Sequence, residues 1–188
     1  MTNFRQSLRM AGAAAKANLL PGLLLQCLML VFFSLYIAHE GTKQFLGEVA
    51  ITKQEAGYAF SFFSYVIAGA LLPELLRIGF FQSGKATKRN LWLFLTAVPL
   101  WGTMGMLVDL LYRLQSVWFG TGNGWKTILY KVLVDQLLFS PFISAPFIVG
   151  WLLLRDHRFR PSAWKQIFCA NFFFEKVFPV VVAGWCVW

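Results

Sequence analysis

Charge is what this sequence has least of. Only 13% of its 188 residues are Asp, Glu, Lys or Arg, roughly half the share that keeps the surface of a soluble domain wet. With 58% hydrophobic and 18% aromatic residues, a water-facing fold of this length would lack the polar surface to cover its core. Cysteine and histidine are also sparse. Cys27, Cys169 and Cys186 share no pairing or metal-ligand spacing, which argues against a disulfide framework or a zinc site and predicts three buried apolar thiols. His39 and His157 stand at the edges of apolar runs, outside any nucleophile or metal cluster. Neither Gly-x-Ser-x-Gly nor His-Glu-x-x-His occurs, and Gly120-x-Gly122-x-Gly124 follows no strand, so it reads as a flexible turn rather than a nucleotide loop. No catalytic site, cofactor or metal is expected.

What is present is apolar length. A bilayer core of roughly 30 Å needs about 20 apolar residues per helix. Five runs qualify: 19–38, 58–81, 91–119, 128–154 and 164–188. These continuous runs lack the alternation of barrel strands. The expected fold is an all-α integral membrane protein, a single domain over residues 1–188 built as a bundle of about five transmembrane helices. Short polar segments join them, the longest covering residues 39–57. Phe4, Leu8, Ala11 and Ala15 share one helical face with Arg5 and Arg9 off it, which predicts a short interfacial helix before the first span. No Ala-x-Ala site follows the first run, so it is read as an uncleaved helix, with Pro21 at its first turn.

The net charge of +9 would suggest nucleic acid in a soluble protein. Here the basic residues sit at span ends, which points to topology and to anionic lipid instead. Eleven Lys and Arg fall on the side of the N-terminus (Arg5, Arg9, Lys16, Arg77, Lys85, Lys88, Arg89, Arg155, Arg158, Arg160, Lys165) and five on the other (Lys43, Lys53, Arg113, Lys126, Lys131), with Lys176 inside the last run. The N-terminus is therefore expected in the cytoplasm, or its equivalent in an organelle. A bacterial inner membrane is the expected location. The absence of acidic residues before Glu40 also suits a mitochondrial inner membrane.

Asp109, Asp135, Glu175 and Lys176 fall within the third, fourth and fifth runs. Each costs about 2.5–3.5 kcal/mol at a helix centre, so they must face protein, one another or water. Asp109 and Arg113 share a helical face, as do Lys131 and Asp135, Glu74 and Arg77, and Asn171 and Glu175. These groups either lock the helices together or line a hydrated path for small polar solutes. Pro73, Pro99, Pro141, Pro146 and Pro179 each free a backbone carbonyl within a run. Ser140 and Ser144 could meet those released near Pro141. No Gly-x-x-x-Gly lies in a span and Ser140-x-x-x-Ser144 is the nearest small-residue pair, so a homo-oligomer is left open.

The stretch Lys131-x-x-x-Asp135-Gln136-x-x-x-x-Pro141, followed by Asn171-Phe172 and preceded by Trp101-Gly102 and Phe119-Gly120, resembles a known family. Its members include the 22-kilodalton peroxisomal membrane protein and a related mitochondrial inner-membrane channel protein; a prokaryotic relative fits best. The resemblance covers roughly residues 100–188. The family's Gly-Asp-x-x-x-Gln after the first span is replaced by Ile37-Ala38-His39-Glu40. The resemblance implies a pore or channel-like protein for small polar solutes. Asp109, Arg113, Lys131, Asp135, Gln136, Asn171 and Glu175 are then its expected lining or buried polar network, and membrane lipids and small solutes its partners. The rival expectation is a non-transporting structural or partner-binding membrane protein.

Overall fold

A computed structural model describes residues 4–187 of the chain. The protein is 88% helical with no strand among the described residues. Among the described residues seven helices follow in order: α1 Phe4–Ala38, α2 Glu40–Ala56, α3 Tyr58–Phe81, α4 Lys88–Phe119, α5 Trp125–Asp156, α6 Pro161–Ile167 and α7 over residues 172–187. Among them α3, α4 and α5 are long and apolar enough to cross a membrane. The count rises to four if α1 and α2, which bend sharply at His39, form one broken span.

Three helix boundaries differ from the sequence reading. First, α1 is one continuous helix, so no separate interfacial helix precedes it, and Pro21 lies far inside it rather than at its first turn. The Ala-rich stretch of residues 11–17 is strong helix former and offers nothing to end the helix. Of the face expected from Phe4, Leu8, Ala11 and Ala15, the side chains of the first three lie outside what the structure describes. Second, the polar segment before Gly57 is not a loop but α2, supported by a 2.9 Å Lys43–Glu40 pair at i,i+3. Gly57 then turns the chain into α3 at φ 56°, a backbone that favours glycine. Third, the run 164–188 is broken by a turn over residues 168–171. Asn171 stands immediately before α7 and its carbonyl accepts the Glu175 N–H at 2.9 Å. Asn competes with helix interiors and suits such boundaries.

The chain divides into two compact units, one of Leu46–Thr127 and one of Met1–Phe45 with Ile128–Trp188. In the first, α3 and α4 form an antiparallel hairpin. The rings of Phe62, Tyr65 and Trp101 lie over Gly102, Gly105 and Gly69. A Cβ at Gly105 would stand 2.8 Å from Tyr65 Cβ and closer still to the Ser61 carbonyl, so only glycine admits this approach. In the second, α7 packs along α1. Ala145 on α5 and Val177 and Val181 on α7 form a core closed by Val149, Phe172 and Phe173.

Backbone widening accompanies proline in three of four places. Residues 67–71, 77–81, 135–144 and 173–177 are π-helical, and all but 77–81 contain a proline or end within two residues of one (Pro73, Pro141, Pro179). A proline has no N–H and its ring crowds the carbonyl one turn back; a widened turn relieves that crowding. The thiols do not follow expectation: Cys27 and Cys169 are exposed, the first on an apolar helix surface and the second in the turn before α7. The Cys186 side chain lies outside the described residues.

Candidate functional site

Polar side chains gather at both ends of the α3–α4 hairpin. At the end carrying residues 82–87, the buried Glu74 of α3 is held by two donors. Asn90 Nδ2 bonds Oε1, and Arg77 Nη1 lies 3.2 Å from Oε2. Asn90 is itself fixed by the start of α4. Its Oδ1 accepts the Thr87 N–H at 2.8 Å, while Thr87 caps the helix in return, a reciprocal arrangement that satisfies two orphan amides.

The other end repeats the plan. Asp109 of α4 is 5% exposed, yet each oxygen has a cation. Arg113 Nε donates to Oδ2 at 2.8 Å, and Lys53 Nζ of α2 lies 3.5 Å from Oδ1. The guanidinium of Arg113 also covers the Tyr58 ring at 4.7 Å from its centroid, a cation–π contact. The expected Asp109–Arg113 and Glu74–Arg77 pairs are thus present. Lys53, Tyr58 and Asn90 come from distant sequence positions that spacing along one helix could not reveal. Asn90 and Asp109 are nineteen residues apart on one helix, about 28 Å. Between them the hairpin is filled by rings on glycines and by Leu100 and Met104, 1% and 3% exposed.

The other five candidates belong to the second unit. Lys131, Asp135 and Gln136 are half-buried on α5, and Gln136 Nε2 donates to Asp135 Oδ2 at 3.1 Å. The Gln136 backbone carbonyl, rather than its side chain, reaches a neighbouring helix: it accepts Trp185 Nε1 of α7 at 3.1 Å. In a π-helix its partner would be the N–H five residues on, which Pro141 lacks. An indole therefore meets a carbonyl freed near Pro141, where the serine hydroxyls were expected. Asn171 is exposed in the turn, not inside a span beside Glu175. Glu175 is half-buried in the first turn of α7, where the helix dipole favours an acid. No group of three or more potential metal ligands occurs among the described residues.

Between α5 and α6 the chain makes a cationic elbow. Arg155 donates twice to Asp156, at 3.0 and 2.9 Å. Arg158 and Phe159 follow with consecutive left-handed backbones, φ 50° and 56°, a conformation costing side-chain-bearing residues about 1–2 kcal/mol each.

No protein-family model matches this chain, and no solved structure matches it.

Proposed function

We propose that the protein is a multi-pass membrane component whose polar clusters clamp its helices together, with a structural or partner-binding role. The observation carrying this reading is the placement of the α3–α4 carboxylates. Glu74 and Asp109 are each neutralised by their own donors, at opposite ends of a ring-filled hairpin. The separation of about 28 Å along α4 is close to the thickness of a hydrocarbon core. Both carboxylates then sit at the membrane faces, where Lys53 and Arg113, with side chains 45% and 51% exposed, reach water by snorkelling.

Five crossings belong to this proposal. Helices α1 and α7 join the three long spans, with the N-terminus cytoplasmic and a bacterial inner membrane as the location. Helix α7, sixteen residues over 172–187 or about 24 Å, is short for the bilayer and is accommodated by local thinning.

A second reading keeps solute passage, in line with the family resemblance. It is favoured by Asp135, Gln136, Ser140 and Ser144, all half-buried on α5, a polar row that a water path could use. Liposomes loaded with small sugars or dyes discriminate the two. Folded, inserted protein should release no more solute than empty liposomes. Release that Asp135→Asn abolishes would establish passage along α5 instead, with Lys131, Asn171 and Glu175 as the next residues to test.

A further inference from the structure

We propose that the elbow between α5 and α6 is a binding site for an anionic phospholipid headgroup in the bilayer that holds the protein. The elbow is exposed from Asp156 through Ser162, and Arg158, Arg160 and Lys165 have no acidic partner among the described residues. The one acid within residues 155–165, Asp156, is already engaged by Arg155. Three cations therefore remain uncompensated within eight residues, which matches the negative charge of a phosphodiester headgroup.

Three features tie this charge to lipid rather than to a soluble anion. The elbow follows directly on α5, a helix apolar enough to cross a membrane, so it emerges where headgroups lie. Helix α6 is anchored through Ala163, 0% exposed, and Ile167 approaches Gly150 of α5. That anchoring leaves Trp164 and Phe168 outward, 47% and 80% exposed, their rings stacked 6.2 Å apart. Amphipathic rings beside cations are the composition of a membrane interface. Finally, the left-handed Arg158–Phe159 step turns Phe159 back onto the Trp151 ring, 5.8 Å between centroids. This fixes a strained segment between the two arginines, the kind of outlier that persists where a site requires it.

The inference rests on α5 crossing the bilayer, so insertion is measured separately, by protease protection of reconstituted protein. The full chain is placed in nanodiscs of phosphatidylcholine with or without phosphatidylglycerol, and bound phosphatidylglycerol per protein is counted after detergent extraction. Wild type should retain phosphatidylglycerol and melt higher in its presence. The R158Q/R160Q/K165Q variant should bind about tenfold or more weakly, given what each surface cation contributes. The K85Q/K88Q/R89Q variant, which removes the same charge from the exposed α3–α4 turn, should bind as wild type does. Trp164→Ala, with every charge intact, should also lose lipid and guards against misfolding of the triple variant. Equal loss from both triple variants would show only a diffuse field and overturn the site. So would wild type, shown to be inserted, that retains no phosphatidylglycerol. Displacement of the lipid by millimolar inorganic phosphate would reassign the elbow to soluble anions.

Discussion

The indole N–H of Trp185 donates at 3.1 Å to the backbone carbonyl of Gln136, the carbonyl whose π-helical partner would be the absent N–H of Pro141. Two irregularities of sequence, a proline mid-helix and a tryptophan near the chain's end, are one interaction in the fold. Trp185→Phe keeps the ring and removes the donor. It should destabilise by about 1 kcal/mol, the worth of a hydrogen bond in water or lipid. Pro141→Ala restores an N–H to that turn, so Trp185→Phe should cost less in that background. Melting in detergent provides the cycle. Additive effects of the two changes would show that the indole does not serve the proline's carbonyl.

Close packing in the hairpin gives a second contrast. Gly105→Ala places a methyl within 2.8 Å of Tyr65 Cβ and against the Ser61 carbonyl. Overpacking of this kind costs about 1–3 kcal/mol, more than the alanine gains in helix propensity. Gly47→Ala in α2 meets nothing within 4 Å and should stabilise by up to about 1 kcal/mol. Unfolding midpoints that shift the same way for both would mean the α3–α4 approach is looser than described.

How far the fold was legible follows the range of each signal. Apolar length is local, and it located α3, α4 and α5 to within a few residues. The i,i+3 and i,i+4 rules found Glu74–Arg77 and Asp109–Arg113 for the same reason. Asn90 was hidden because it meets Glu74 across a turn, sixteen positions away; Lys53 was hidden because its own helix looked like a polar loop. Asn171 misled in the opposite direction. Inside an apolar run it resembled a span residue, whereas its preference for helix boundaries was the stronger term. Hydrophobicity does not register where a helix stops, so the run 164–188 concealed a turn.

The Asp109 cluster ranks its own substitutions. Asp109→Asn removes the charge facing two cations that are about half exposed and can turn to water, so the loss should be about 1–3 kcal/mol rather than the full cost of an orphaned buried charge. Arg113→Lys loses the 2.8 Å Nε donor and the cover over Tyr58, an intermediate cost, because lysine cannot reproduce a planar fork. Lys53→Ala should cost least, about 0–1 kcal/mol, since its contact is long at 3.5 Å and exposed. A Lys53→Ala variant as unstable as Asp109→Asn would make the lysine, not the arginine, the principal partner.

The five crossings proposed above would place the two ends of the chain on opposite sides of the membrane. The cations predict which side is which: the α3–α4 turn with Lys85, Lys88 and Arg89 and the elbow with Arg158 and Arg160 face the cytoplasm, and the α4–α5 connection with Lys126 faces away. Reporter fusions after Lys85 and Arg160 should read as cytoplasmic, and fusions after Gly122 and at the C-terminus as external. Helix α7 is the sensitive element, because at about 24 Å it is the shortest of the proposed crossings and carries Glu175 and Lys176 near its start. A C-terminal reporter on the cytoplasmic side, with the other fusions as expected, would turn α7 into a re-entrant or interfacial helix. The count would then be four, while the α3–α4 hairpin and its two clamps kept their places at the membrane faces.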